Sequence, residues 1–288
     1  MKQTEVRKQI VVAIDFSKNS ITALEYSILI ANMIGADIMM VWVDKPDTDE
    51  SIYNNQGHEH RHEAKARIEE LQKSYAKSLK KGVLSYKLRK GKIYKEIANQ
   101  AKYNDASFIV AGSHGVSGFE SFMIGSNASK IVTYSPCPVI TLRETYPTNN
   151  KLKKIVVPID NSAATRQKIP YALEMARAFK AEIHVLELQS SSLKSIRRIV
   201  TKYVEQVEKF LLKEKDIKFV LKSVDCDNIT TATIAYAEEI NADQIFIMTE
   251  QEQETSNIWL GPFAMQMVNN SSIPVISIKP KVLEQLAR

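Results

Sequence analysis

A glycine-rich segment, GSHGVSGFESFMIGS at residues 112–126, holds the residues of this 288-residue sequence that are best suited to chemistry. Four of the nine glycines in the chain fall within it, at Gly112, Gly115, Gly118 and Gly125. Glycines let a backbone approach phosphate oxygens closely and present its N–H groups to an anion. The pattern NASKIVTY that follows predicts a helix, whose amino terminus adds unpaired donors. The segment therefore predicts a polyphosphate-binding turn, although its first glycines could also serve only a tight turn.

A second candidate is Asp15, which follows the apolar run IVVAI. Such a run predicts a buried strand, and Ser17 is a plausible N-cap for the next helix. The pattern ALEYSILIANMIG predicts that helix, with its apolar residues on one face and Gly35 as its end. Asp15 could contact a ligand or cap the helix, and the two roles can coexist.

The elements that position these residues occur twice. IVVAIDFS at 10–17 returns as IVVPIDNS at 155–162, and PVITL at 138–142 returns as PVISI at 274–278. Within each copy, short apolar runs alternate with longer segments of helical period. This alternation predicts parallel strands with helices on both faces of a sheet.

The sequence thus predicts two tandem doubly wound α/β domains, at residues 1–145 and 151–288, joined by a linker at 144–152. The first copy carries a polar segment at 45–60 that we expect to form a loop. It contains His58, His60 and His62, which we expect to be solvated rather than bound to a metal.

Composition excludes several classes of partner. The net charge of +6 is spread among acidic residues, and the densest basic stretch, residues 80–95, lacks the aromatic interleaving of nucleic-acid sites. No apolar run approaches the ~20 residues that cross a bilayer. The first residues lack the apolar stretch of a secretory signal. We expect a cytoplasmic protein without nucleic-acid or membrane partners.

The spacing G-x2-G-x9-G-S in residues 112–126 resembles the nucleotide-binding signature of the universal stress protein family. VVAIDFS, GADIMMVWV and SPCPVI resemble strands of that family, and the resemblance covers nearly all of both copies. It implies a five-stranded parallel sheet of order 3-2-1-4-5 in each domain. It also implies one ATP site with Mg²⁺, in which Asp15 lies against the sugar or the metal. Val43, or its neighbour Trp42, would line the adenine slot. The phosphate contacts would come from Gly112, Gly115, Gly125 and Ser126.

The second copy departs from this signature. Thr249, Glu252 and Pro262 stand where the first copy has glycine, glycine and serine. The glutamate would repel phosphate, and proline lacks an N–H to donate. We therefore expect no ATP site of this type in the second copy.

The predicted function is an ATP-binding regulatory module of the stress response. No catalytic constellation is convincing, and His114 is the one obvious candidate for a general base near a phosphate. A slow ATPase or nucleotide hydrolase and a ligand-free scaffold remain alternatives. The resemblance also implies that the two copies pair as an intramolecular pseudo-dimer, with a further homodimer left open.

Overall fold

The apolar runs of the two repeats, such as IVVAI at 10–14 and PVITL at 138–142, form parallel strands in the computed structural model. The structure describes residues 7–44, 56–113, 125–148, 151–249, 251–254 and 257–280. The chain separates into two units, Met1–Asn149 and Asn150–Arg288. Among the described residues, no helix has the length and apolar character needed to cross a bilayer.

Across its described residues, the first unit alternates strands and helices. Its sheet has the order β3-β2-β1-β4-β5, and all neighbouring strands are parallel. The elements are β1 (Gln9–Ile14), α1 (Lys18–Ile34), β2 (Asp37–Asp44), α2 (Gln56–Tyr75), a 3-10 turn (Ala76–Ser78), β3 (Leu84–Lys90), α3 (Ile93–Tyr103), β4 (Ala106–Gly112), α4 (Ser126–Tyr134) and β5 (Val139–Leu142).

The second unit repeats the same sheet, in the order β8-β7-β6-β9-β12 with parallel neighbours. The predicted order 3-2-1-4-5 is confirmed in both units. The elements are β6 (Lys154–Ile159), α5 (Ile169–Phe179), β7 (Glu182–Gln189), α6 (Lys194–Leu211), β8 (Phe219–Asp225), α7 (Ile229–Glu239), β9 (Gln244–Met248), β10 (Gln251–Glu254), β11 (Asn257–Leu260), α8 (Pro262–Asn270) and β12 (Val275–Ile278).

The first helix follows the sequence pattern closely. Ser17 caps α1 by accepting a hydrogen bond from the N–H of Ser20, and Leu24 and Ile28 are buried. Gly35 ends the helix in the left-handed conformation, with φ of 70°, which glycine adopts at little cost. These predictions are confirmed.

Part of the predicted loop at 45–60 is helical, because α2 begins at Gln56. Helical spacing separates His60 from His62 around the axis, and both side chains are exposed. Within the described ranges, no group of three histidine, cysteine or acidic residues could hold a metal.

The second unit contains two features that the repeat does not predict. An antiparallel hairpin, β10 with β11, pairs Gln251 with Leu260 in the segment that matches the glycine-rich turn. In addition, α5 begins at Ile169, which matches Leu24, so this helix starts six residues later in the repeat than α1 does. Residues 163–168 form turns instead.

Candidate functional site

Asp15 lies at the carboxyl end of β1, where its carboxylate organises the following turn. Its Oδ1 accepts hydrogen bonds from the N–H and the hydroxyl of Ser17, at 3.0 and 2.6 Å. Its own N–H donates to Oγ of Ser20 at 3.4 Å. Asp15 is half-buried, and no residue in the described ranges bonds its Oδ2. One carboxylate oxygen is therefore fixed by the turn, and the other accepts no hydrogen bond within the described ranges.

The residue after Asp15 adopts an unfavourable backbone conformation. Phe16 has φ of 62°, in the left-handed region that bulky side chains rarely enter. Its ring lies 4.4 Å from the guanidinium carbon of Arg67 in α2, and both line a cleft of about 450 Å³. The sequence did not predict this contact, because nothing in the residue types of Phe16 and Arg67 signals the positive φ or the packing of the two side chains.

Gly112 ends β4, beside the start of α1. A Cβ at this position would lie 2.6 Å from Cβ of Asn19, closer than side chains normally approach. Oδ1 of Asn19 in turn accepts a hydrogen bond from the N–H of Glu144 at 2.8 Å. Packing alone thus explains the glycine at 112, and the same packing brings the ends of β1 and β4 to one edge of the sheet.

Gly125 is the N-cap of α4, and its N–H is engaged within the chain. That N–H donates to the carbonyl of Ser113 at 2.9 Å. The first N–H groups of the helix itself, those of Ser126, Asn127 and Ala128, have no partner along the helix. These are the donors that α4 can offer to an anion. Gly115, the remaining predicted phosphate ligand, lies outside the described residues.

Val43 lies near the carboxyl end of β2 and is buried, with 9% of its surface exposed. Its neighbour Trp42 pairs with Ile14, the last residue of β1, and is only half-buried. Successive strand residues face opposite sides of the sheet. The two candidates for the adenine slot therefore lie beside Asp15 on opposite faces.

The second unit builds the same turn from Asp160 but closes it differently. Oδ1 of Asp160 accepts from the N–H and hydroxyl of Ser162, at 2.9 and 2.6 Å. The N–H of Asp160 donates to Oγ1 of Thr165 at 3.1 Å. Nζ of Lys168 donates to the same Oγ1, also at 3.1 Å. Lys168 is 2% exposed, so a buried cation from the chain itself is linked to Asp160 through Thr165.

The two charges shift one another's pKa. Burial lowers the pKa of Lys168 to about 8, against the opposing attraction of Asp160. Burial would raise the pKa of Asp160, but Lys168 and the hydrogen bonds from Ser162 and Thr165 outweigh it and hold that pKa below its usual value. Asp160 is therefore ionised and satisfied internally at neutral pH.

The phosphate side of the second unit also has one donor fewer. Gly261 caps α8 as Gly125 caps α4, but Pro262 is the first helical residue and carries no N–H. Thr249 stands where Gly112 ends β4, and it is fully buried. Lys168 is a further difference between the two copies at this turn. The sequence did not predict its role, because its match in the first copy is Ala23.

The model of the universal stress protein family matches residues 7–143 and 151–279. The chain belongs to the universal stress protein family. Both matched ranges coincide with the two repeats of the sheet, so this is a universal stress protein with two family domains in tandem.

Known universal stress proteins resemble the chain in sequence and in fold. Universal stress protein YxiE of Bacillus subtilis is 38% identical over 74 residues, which are 25% of this chain and half the length of that protein. Universal stress protein MJ0531 of Methanocaldococcus jannaschii is 28% identical over 150 residues, covering 45% of this chain and 84% of that protein. A universal stress protein structure from Archaeoglobus fulgidus covers 95% of this chain and 98% of its own, with a TM-score of 0.75 and 22% identity. At that identity the structural match supports the fold alone.

Proposed function

We propose that the first domain, residues 1–145, binds one ATP with Mg²⁺ and that the chain acts as a nucleotide-dependent regulatory module in the stress response. The second domain, residues 151–288, would bind no ATP in this manner. The observation that carries the proposal is the carboxyl edge of β1 and β4. There a half-buried carboxylate with an unbonded oxygen lies on the same edge as a helix start with free donors.

The geometry suggests a role for each proposed residue. Ser126 and the N–H groups after it would hold phosphate oxygens, and Gly115 would add its backbone amide. Gly112 and Gly125 would shape the turn, since the amide of Gly125 is already bonded to Ser113. Asp15 would contact the sugar or the metal. Val43 or Trp42 would line the adenine slot.

The residues fit Mg²⁺ only as part of a nucleotide complex. Mg²⁺ is commonly held by one or two carboxylates together with substrate phosphates. Oδ2 of Asp15 supplies one such oxygen, and the described residues offer no dedicated metal cluster. The ion would therefore arrive with the phosphates and neutralise their charge against Asp15.

Isothermal titration calorimetry with ATP and Mg²⁺, after removal of carried-over nucleotide, tests the proposal. We expect one ATP per chain, and loss of binding in Gly115→Glu, which places the second copy's residue in the first. The matched control is Glu252→Gly in the second domain. It should create no second site, because Asp160 remains linked through Thr165 to the buried Lys168 and Pro262 still lacks an N–H. Two sites in the wild type, or none, would contradict the proposal.

Three further predictions rest on the sequence and the family. They are the cytoplasmic location, the pairing of the two domains as an intramolecular pseudo-dimer, and a further homodimer, which is left open. Light scattering at micromolar concentration distinguishes a monomer from a homodimer. Phosphate release from ATP separates a binding module from an ATPase. Steady release above ~1 per second, the low end of ordinary enzyme turnover, would support the ATPase alternative.

A further inference from the structure

The outer strands of the two sheets, β3 and β8, differ in how their free edges are covered. In the first unit, Nε2 of Gln72 in α2 donates to the carbonyl of Leu84 at 2.6 Å. The guanidinium of Arg61 donates to the carbonyl of Leu88 at 3.1 Å. The carbonyl of Val83 accepts a hydrogen bond from the N–H of Ile38 in β2. Because backbone groups alternate between the two sides of a strand, the carbonyls of Leu84 and Leu88 point to the free edge, where α2 caps them. This is one way in which proteins prevent unwanted pairing at a sheet edge.

The free edge of β8 has no such cover. The N–H of Ile183 in β7 donates to the carbonyl of Lys218, which fixes the alternation along β8. The backbone groups of Leu221 and Ser223 therefore point away from β7. Among the hydrogen bonds of the described residues, none from a side chain reaches these two backbone positions.

The outward residues of β8 are also packed less closely by their neighbouring helix than those of β3. The register places Leu221 and Ser223 of β8 where β3 has Tyr86 and Leu88. Leu221 is 37% exposed, whereas the hydroxyl of Tyr86 donates to Glu69 in α2 at 2.7 Å. A groove of about 740 Å³ lies between α6 and strands β7 and β8.

The α6 wall of this groove is basic. Lys194, Arg198 and Lys202 recur every four residues, which places them in one row along the helix, and all three are exposed. Within the described part of the chain, none of the three forms an ion pair. Two acidic residues, Glu187 and Glu205, also line the groove, and Glu187 accepts hydrogen bonds from Gln189 and Thr201, each at 2.6 Å. The three basic side chains of the row outnumber these two carboxylates, so the groove keeps a net positive charge beside an open strand edge.

We infer that the groove between α6 and the free edge of β8 binds an extended acidic segment of a partner protein. The segment would add a strand to β8 through the outward backbone groups of Leu221 and Ser223. Its acidic side chains, which alternate along a strand, would meet Lys194, Arg198 and Lys202. A second copy of the chain fits less well, because a two-fold interface would bring two basic rows together.

The test uses the full chain and a fluorescein-labelled octapeptide of alternating glutamate and valine, with binding followed by fluorescence anisotropy. We expect binding that weakens as NaCl is raised to about 0.5 M, since screening acts on exposed charges. A peptide with lysine in place of glutamate should not bind. Failure of the glutamate peptide to bind, or equal binding of the lysine peptide, would overturn the inference.

Two variants separate the backbone contact from the charge. Ser223→Pro removes an N–H that faces outward and leaves the ladder to β7 intact, as prolines on edge strands do. Arg198→Glu with Lys202→Glu reverses the basic row. Each should weaken peptide binding at least about tenfold, with an unchanged circular dichroism spectrum.

The matched control, Lys95→Glu with Lys102→Glu, makes the same charge change at two exposed positions of α3. It should leave peptide affinity within about twofold. An equal loss in this control would reduce the effect to net charge and overturn the inference. A wild-type dimer that Ser223→Pro converts to a monomer would show that a second copy covers the edge, and would also overturn it.

Discussion

Asp15 and Asp160 occupy the same place in the two domains and organise the same turn, yet only one of them has a cation from its own chain. Each carboxylate accepts two hydrogen bonds from the serine two residues later. Each backbone N–H donates to a hydroxyl five residues later. Only Asp160 is then joined through Thr165 to a buried lysine.

This difference separates two roles of the aspartate. The turn requires it in both domains, so its presence alone does not identify a ligand site. What distinguishes the domains is the source of positive charge. In the second domain Lys168 supplies that charge at neutral pH, whereas in the first we propose that Mg²⁺ or a nucleotide hydroxyl takes the corresponding position. The delayed start of α5 is what frees residues 163–168 to form this internal arrangement.

The largest expected effect comes from Lys168→Met, which keeps the volume of the buried stem but removes the charge. Burial lowers the pKa of Lys168 to about 8 even against the attraction of Asp160, so the folded chain disfavours this charge, and removing it should raise the free energy of unfolding at pH 7 by about 3 kcal/mol. Urea denaturation can be followed in the second domain through Trp259 in a Trp42→Phe background, since the chain has two tryptophans, one in each domain.

The control for this variant is the double substitution Asp160→Asn with Lys168→Met. Asn keeps an oxygen that can accept from Ser162, so the double variant should lie within about 1 kcal/mol of Lys168→Met. A single variant less stable than wild type would show instead that Asp160 depends on the charge of Lys168.

The pH dependence of stability gives the next effect. The pKa of Lys168 falls from 10.5 to about 8 on folding. Between these values the unfolded chain holds a proton that the folded chain has released, so the free energy of unfolding decreases as the pH is lowered through this window. The loss amounts to about 3 kcal/mol between pH 10.5 and 8. Urea denaturation across this range should show that slope in the wild type, and the double variant should lack it.

The sequence predicted the sheet and its repeat because strand and helix periodicity, caps and turns are local signals. The run IVVAI, the cap Ser17 and the stop Gly35 each act within a few residues. The hairpin β10–β11 and the late start of α5 were not predicted, because both replace an element of the first copy rather than repeat it. A sequence repeat gives no signal for an element that one copy has replaced.

The third prediction concerns the close approach at Gly112. Gly112→Ala would force its Cβ against Asn19, a backbone-supported position that cannot yield freely, and should cost about 1–3 kcal/mol. Trp42 reports unfolding of this domain in a Trp259→Phe background. The matched change Thr249→Ala keeps a Cβ and loses one hydrogen bond to Ile278, worth about 1 kcal/mol. Equal costs at the two positions would mean that Asn19 moves aside.

The candidate site was only partly accessible to sequence reasoning. Asp15, Gly112 and Gly125 could be selected from residue type and spacing, but hydrogen bonding decides what each can offer a ligand. The amide of Gly125 is used by Ser113, and Gly112 is needed against Asn19. Gly125 and Ser113 are twelve residues apart in the chain, and Gly112 and Asn19 belong to different elements. A local sequence pattern therefore cannot predict either contact.

The smallest expected effect separates the two aspartates directly. Asp15→Asn retains an oxygen for the turn and removes the charge offered to the ligand, so ATP affinity should fall about tenfold, as expected for one charge-assisted contact. Asp160→Asn is the matched change in the second domain and should leave ATP affinity within about twofold. Calorimetry of both variants in Mg²⁺ decides the matter. If Asp160→Asn weakened ATP as much as Asp15→Asn, the nucleotide would depend on both domains, and the buried lysine would have to serve the ligand rather than replace it.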